Sequence, residues 1–504
     1  MADPTDTPRW ALPYATDLPA APRARRKAVA VRIAVYVALA AFLIAPAVQF
    51  QHSTMKKARK AAARGLTTQA AGSETKGAIG RWRFTVREFW AGRNIYVAES
   101  PDGGVVLHPN MPFTVILLTP FAYLPLGAAT ALFNALKIAA VVAAFFMIVR
   151  VADHGPVAMP DWAAALGLLW VVKPILSDIQ HGNTNDFVLA FIVLHLWLYR
   201  RGRDLAAGAS LAVAICLKMT PALFVLYWLY QRSWKLVVAT LVAIVVFAAV
   251  VPAVAVGPQR AADLTRTWLD NLITPGLVKG AWYPIHINQS ASGVVGRYLL
   301  GEGQPGGNIY WNPDDTPSYD LQRQHAWIAF VSLTPAQAKW VVRAVQLVLV
   351  ALTAWAIGWR RLPRTDGRRA LHFGLVAVGM MLLNQRTWDH HATVLLIAAV
   401  PIWYAVAAGR ISPAVRTCVV GLMLVAMVLL WGSSNGVFIT AAVLAGRDPE
   451  VGSAWADRAA AYGPVFYHFL LLFVAAVVLS VSLRKWPDPY RTPARQGVAQ
   501  ASPV

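Results

Sequence analysis

Residues 184–235 read TNDFVLAFIVLHLWLYRRGRDLAAGASLAVAICLKMTPALFVLYWLYQRSWK. Apolar runs at 184–199, 205–217 and 220–231 are divided by the basic turn Arg200-Arg201-Gly202-Arg203 and by Lys218-Met219-Thr220-Pro221. A second basic turn, Arg232 to Lys235, closes the stretch. The first run approaches the roughly 20 apolar residues that cross a bilayer. The next two are short, and both are flanked by basic turns, so they read as a shallow hairpin split at Lys218. Apolar runs punctuated by arginine-rich turns mark a polytopic membrane protein, because cations stay on the cytoplasmic side.

The pattern extends along the whole chain. Of 504 residues, 57% are apolar and only 14% charged, against about 25% charged in soluble domains. Mean hydropathy is +0.49, which disfavours a soluble or disordered protein. The fold expected is an all-α polytopic membrane protein with about 12 spans (range 10–13). The spans lie near 29–50, 126–150, 162–178, 184–199, 205–217, 220–231, 236–256, 336–358, 371–384, 391–409, 413–433 and 461–483. Residues 1–28 form a disordered cytoplasmic tail without the features of a cleaved signal. Residues 29–483 form the membrane domain, and 484–504 a cytoplasmic tail.

Basic turns near 200, 232, 360 and 410 belong inside. Outside then lie 51–125, 178–183, 258–335, 385–390 and 434–460. Loop 258–335, with five basic and six acidic residues, fits that placement. The first outer loop, 51–125, includes Met111 to Leu124, which is broken by Pro112 and Pro120 and reads as a juxtamembrane helix. The net charge of +22 is spread between apolar runs rather than gathered in a groove, so no nucleic-acid partner is expected. Cys216 and Cys418 sit in apolar segments and show no metal-ligand spacing.

The chemically suggestive residues all fall on the outer side. Asn384 to His391 includes Arg386, Trp388, Asp389, His390 and His391. Ionisable groups at a membrane helix end are costly unless they face a cavity or one another. A histidine beside an aspartate suits a general base. Asp178, His181, Asn183, Asn185 and Asp186 crowd a second outer turn and offer donors and acceptors suited to sugar hydroxyls. Asn183 and Asn185 also suit helix capping. Lys218 interrupts the hairpin and suits a lipid phosphate. Asn288 and Gln289 follow the aromatic pair Trp282-Tyr283. In the first outer loop, Arg93 and His108 are candidate ligand contacts, and Glu88 is a base or an ion-pair partner of nearby arginines. No P-loop, dinucleotide fingerprint or zinc motif is present, which excludes an ATP-driven pump.

The motif order resembles the integral-membrane glycosyltransferases of the C superfamily, within the family 87 / domain of unknown function 2029 group. That group includes polyprenol-phosphate-mannose-dependent mannosyltransferases of mycobacteria. The resemblance runs through Ala91 to Tyr96, His108 to Phe113, Gly182-Asn183-Thr184-Asn185, Leu217 to Pro221, Asn288-Gln289-Ser290 and Trp388 to His391. It implies a membrane glycosyltransferase moving a sugar, mannose or another hexose or pentose, from a polyprenyl-phosphate-linked donor to a glycolipid or glycan acceptor. Transfer would occur at the extracytoplasmic face of a bacterial plasma membrane, with His390 or His391 as base. Relatives carry an aspartate aligned near Gly77 to Gly80, where this chain has no acid; Glu74 and Glu88 are nearest.

The expected mechanism has Lys218, Arg386 or a first-loop arginine holding the donor phosphate. A histidine oriented by Asp389 deprotonates the acceptor hydroxyl, and a single displacement inverts the anomeric centre. Because the leaving phosphate already carries charge, the scheme needs no metal and no cofactor. The alternatives are a polyprenyl-linked glycan ligase and a lipid or sugar transporter, whose polar residues would gather near the midplane.

The topology has a direct test. In a Cys216→Ser/Cys418→Ser background, thiols introduced at Asn183 and Trp388 are expected to react with a membrane-impermeant maleimide from the same side. Labelling from opposite sides would overturn the shared outer face.

Overall fold

A computed structural model describes residues 41, 43–56, 59, 78–96, 109–153, 158–278, 285–300, 309–311, 317–319, 328–486 and 489–490. His108, Trp282, Tyr283 and the 1–28 tail lie outside the described residues. From residue 126 onward, each apolar run is a helix. Seven described helices are long and apolar enough to cross a membrane: Leu126–Ala152, Asp161–His181, Trp234–Val256, Ala336–Ile357, Asp389–Ala408, Pro413–Gly432 and Pro464–Arg484. Asn185–Arg200 and Arg368–Leu383 are slightly shorter. The described start of the chain continues helically from 43 to 56. The hairpin expected at 205–231 is formed by Asp204–Leu217 and Leu223–Tyr230, joined through a 3-10 turn at Thr220–Ala222.

Two features were not legible in the sequence. The segment 434–460, expected as an outer loop, folds as two helices, Asn435–Leu444 and Pro449–Ala461. Within 258–335, two three-residue strands, Ile309–Trp311 and Pro317–Tyr319, pair antiparallel.

Turns assigned to the same side touch one another. At the basic end, Arg200 donates to the Arg150 carbonyl at 2.8 Å, and Arg364 grips Asp204 bidentately at 2.6 and 2.7 Å. The Leu362 amide there donates to the Gln231 side chain at 3.3 Å. At the other end, the Gln289 amide donates to the Thr387 carbonyl at 2.7 Å. The Gln289 side chain donates to the Ala460 carbonyl at 2.8 Å, and Lys173 reaches the Leu430 carbonyl at 2.6 Å.

The segment 51–125, expected as the first outer loop, carries two helices, Ala78–Trp90 and Pro112–Tyr123, packed on each other. Arg83 donates to the Leu124 carbonyl at 2.7 Å and Arg87 to the Ala122 carbonyl at 3.1 Å. These guanidiniums cover carbonyls that the helix end leaves open and oppose the negative end of its dipole.

The centre of the bundle is formed by Arg368–Leu383 and Asp389–Ala408, the latter 89% buried. Membrane helices lack a hydrophobic drive to associate and rely on close approach through small residues. A side chain built on Gly374 would lie 2.9 Å from Ala398 Cα, and one on Gly208 would lie 2.8 Å from the Ala239 carbonyl carbon. Overpacking therefore falls on backbone that cannot swing away. Gly208→Val and Gly374→Val are each expected to cost about 1–3 kcal/mol, read as a lower melting temperature in detergent. Gly421→Ala, with open space around it, should leave the transition in place.

Candidate active site

Asp161–His181 ends at Gly182, which adopts a left-handed conformation (φ +64°) and returns its N–H to the last turn. A Cβ there would meet Phe50 at 3.0 Å and the Ile79 backbone at 3.4 Å. Glycine is therefore required by both conformation and space. Three residues later Asn185 opens the next helix. This tight return places Asp178, Asn185 and Asp186 side by side, all buried.

Their organiser is Lys137, fully buried in the helix Leu126–Ala152. Its ammonium lies 2.6 Å from Asp178 Oδ2 and 3.5 Å from Asp186 Oδ2, and it donates to the Asp178 backbone carbonyl at 2.7 Å. Asn185 donates to Asp178 Oδ1 at 2.7 Å. The Asp186 amide donates to Asp178 Oδ2 at 3.3 Å. Asn185 then accepts from the Lys218 ammonium through its own Oδ1 at 2.6 Å. Two ammonium and two carboxyl groups form one continuous set. Lys218, half-buried at the hairpin tip, contacts an amide rather than a carboxylate. Among the described residues Asp186 meets a donor only at the longer Lys137 distance, and neither of its oxygens is closely hydrogen-bonded.

Four rings lie against this set. His181 stacks on His390 (5.2 Å between centroids, 24°), and Trp388 stacks on His391 (5.7 Å, 18°). The two adjacent histidines meet edge to face at 4.7 Å. Thr393, one turn on, donates to the Asn185 carbonyl at 3.4 Å and so ties the histidine turn to the acidic turn. His390 is within electrostatic reach of both Asp178 and Lys218.

The two histidines differ in what they are free to do. His391 Nδ1 accepts from the Trp388 amide at 3.3 Å, and its ring also meets the Arg386 backbone carbonyl. Accepting at Nδ1 leaves the proton on Nε2, so neither nitrogen is an open acceptor. His390 makes no side-chain hydrogen bond among the described residues. His181 Nδ1 pairs with the Ser177 carbonyl at 2.6 Å, which places its proton there and leaves Nε2 as the acceptor.

Other sequence candidates lie elsewhere or serve other ends. Asp389, read as the group that orients the imidazole, faces Lys173 at 3.5 Å instead. Glu88 is engaged bidentately by Arg93, with Arg93 Nη2 2.5 Å from Oε1. It sits about 13 Å along its helix from Ile79, at 1.5 Å per residue, and Ile79 is the residue that touches Gly182. Asn183 donates its backbone amide to the Asp178 carbonyl at 3.4 Å. Asn288 and Gln289 are buried and hold loops together. Asn288 clamps Gln385 and Thr387 at 2.8 and 2.9 Å; Gln289 bridges Ala460 and the Phe466 amide. Arg386 is part-buried in the clamped loop beside Thr387. Among the described residues, no group of three or more His, Cys, Asp or Glu is placed to hold a metal ion.

Lys137 and Lys173 were missed by motif reading. The signal for Lys137 was present, since it is the one charged residue between Leu126 and Val149. A lone intramembrane charge implies a partner, but its identity cannot be read along the chain.

Removing one member of a buried pair strands the other, at a cost of about 3–5 kcal/mol. Lys137→Met is therefore expected to lower the melting temperature sharply in detergent. Lys137→Met/Asp178→Asn should recover part of the loss, and equal melting of the two variants would refute the pairing.

The sequence profile of glycosyltransferase family 87 matches residues 110–385. The polyprenol-phosphate-mannose-dependent alpha-(1-2)-phosphatidylinositol mannoside mannosyltransferase of Mycobacterium tuberculosis is 24% identical over 343 residues, covering 64% of this chain and 68% of that protein. The equivalent enzyme of Mycolicibacterium smegmatis is 24% identical over 337 residues, covering 62% and 66%. Among solved structures, ArnT from Cupriavidus metallidurans bound to undecaprenyl phosphate aligns over 80% of this chain and 72% of that one. The TM-score is 0.35 and the identity 13%. The family profile spans more than half of the 504 residues and takes in Lys137, Asp178, Asn185, Asp186 and Lys218; the chain belongs to glycosyltransferase family 87 and is a multi-pass membrane glycosyltransferase.

Proposed function

We propose that this protein transfers a hexosyl group, mannose being favoured, from a polyprenyl-phosphate donor to a hydroxyl of a glycolipid or glycan acceptor at the extracytoplasmic face. The observation that carries this reading is the pairing of an anion site with an open base. The Lys218 ammonium is held by an amide and faces no carboxylate within ion-pairing distance among the described residues, so its charge is available to a phosphate. His390, within electrostatic reach of Lys218, is the member of the adjacent histidine pair that makes no side-chain hydrogen bond among the described residues. The names of the mycobacterial relatives, both polyprenol-phosphate-mannose-dependent, support the donor class.

In this mechanism Lys218 binds the donor phosphate as a point charge. His390 takes the proton of the acceptor hydroxyl, whose oxygen forms a bond to the anomeric carbon. The bond from that carbon to the phosphate oxygen breaks, and polyprenyl phosphate leaves with the electron pair, its charge met by Lys218. One displacement inverts the anomeric centre. His391 positions the turn, through Trp388 and Arg386, rather than taking the proton. Asp178 acts through Asn185 on Lys218, and Lys137 holds Asp178. The exposed turns carrying Arg201 to Arg203 and Arg232 to Lys235 would face the cytoplasm, which supports a site on the outer side.

Purified protein, synthetic polyprenyl-phosphate mannose and a mannolipid acceptor should give transfer. His390→Ala is expected to lower kcat by about 10²–10⁴ at unchanged melting temperature. His391→Ala should lower the melting temperature, and Lys218→Met should raise KM for the donor more than it lowers kcat. Full activity of His390→Ala would remove the assigned base, and transfer from a nucleotide sugar instead would remove the donor class.

A further inference from the structure

At the basic end, the turns that begin one span and end another meet. Tyr230 packs edge-on against Trp359 (5.5 Å), Arg232 lies over the same indole at 5.1 Å, and the Leu362 amide bonds Gln231. Four cations surround this junction, Arg232, Lys235, Arg360 and Arg361, all exposed. Among the described residues none of them has a carboxylate partner. The acids nearby are already engaged, Asp204 by Arg364 and Asp366 by Arg368. Trp234 and Trp359 stand out from the junction at 59% and 73% exposure.

The helices leading away from it, Trp234–Val256 and Ala336–Ile357, are among the least buried of the spans, each only 22% buried in the protein. Their apolar flanks run from the cations into the hydrocarbon layer. Exposed indoles belong at headgroup depth. Unpaired cations at that depth attract anionic headgroups, and two lipid-facing helices offer a bed for the acyl chains beneath.

We propose that this junction is a binding site for an anionic phospholipid, with its headgroup phosphate among Arg232, Lys235, Arg360 and Arg361 and its chains along the two exposed spans. The site lies at the end of the bundle opposite Lys218 and His390 and takes no part in sugar transfer. Its occupant is a membrane phospholipid, not the glycosyl donor.

The test uses the full chain in lipid discs of equal phosphatidylglycerol and phosphatidylcholine, with co-retained lipid read by native mass spectrometry. Wild type should retain phosphatidylglycerol over phosphatidylcholine by on the order of tenfold, a preference that falls in high salt. Arg232→Gln/Lys235→Gln/Arg360→Gln/Arg361→Gln should lose it, whereas Arg447→Gln/Arg458→Gln at the opposite end should keep it. Equal retention by wild type, an unchanged preference in the quadruple variant, or the same loss in the control would overturn the assignment. Folding is checked by melting in pure phosphatidylcholine discs. If the quadruple variant does not fold, the pairs Arg232→Gln/Lys235→Gln and Arg360→Gln/Arg361→Gln are measured separately, and an unchanged preference in both is the overturning result.

Discussion

A charged side chain in the middle of a membrane helix has to find a partner inside the protein, because lipid offers none. Lys137 is such a group, and most of the site follows from how it is satisfied. Its ammonium draws Asp178 and Asp186 from the next two helices onto the first. The tight turn at Gly182 then has to sit where both carboxyl groups can reach one nitrogen. Asn185, fixed against Asp178, carries the arrangement one step further to Lys218. Lys137, the 178–186 turn and Lys218 are thereby held in one register by hydrogen bonds of 2.6–2.7 Å.

This constraint also fixes the hairpin at 204–230. Its two short helices meet where Lys218 reaches the Asn185 amide, and both flanks end in basic turns. The tip is further tied down by Thr114, which donates to the Cys216 carbonyl at 2.9 Å. The helix Pro112–Tyr123 thus touches the same structure that presents the Lys218 ammonium.

The paired histidines show how hydrogen bonding divides roles between neighbours of identical chemistry. Adjacent imidazoles on a 3-10 turn, Asp389–Leu395, point in different directions. His391 is turned back onto the Trp388 amide, and His390 faces His181 and the charged set. Asp389, the obvious carboxylate partner along the chain, is turned away to Lys173. The acid close to the histidines in space is Asp178, more than 200 residues earlier. Ile79 of the helix Ala78–Trp90 lies against Gly182 beside the site. In this chain the acids of the neighbourhood come from the 178–186 turn.

The amino-acid sequence by itself determined the helical class, the placement of the apolar helices from residue 126 on and the hairpin broken at Lys218. These follow from one-dimensional quantities, the length of apolar runs and the position of cations, because lipid permits few alternatives to a hydrogen-bonded helix. It also marked the 178–186 turn, Lys218 and the 388–391 turn as unusual. Only the tertiary structure decided the partners. Lys137 joined the site, while Glu88, Asn288 and Gln289 were spent on holding loops and helices in place, and Asp389 gave up the imidazole to Lys173. Ion pairs and hydrogen bonds act over about 3 Å in space, and nothing in the spacing of residues along a chain records which helices will bring their polar faces within that distance.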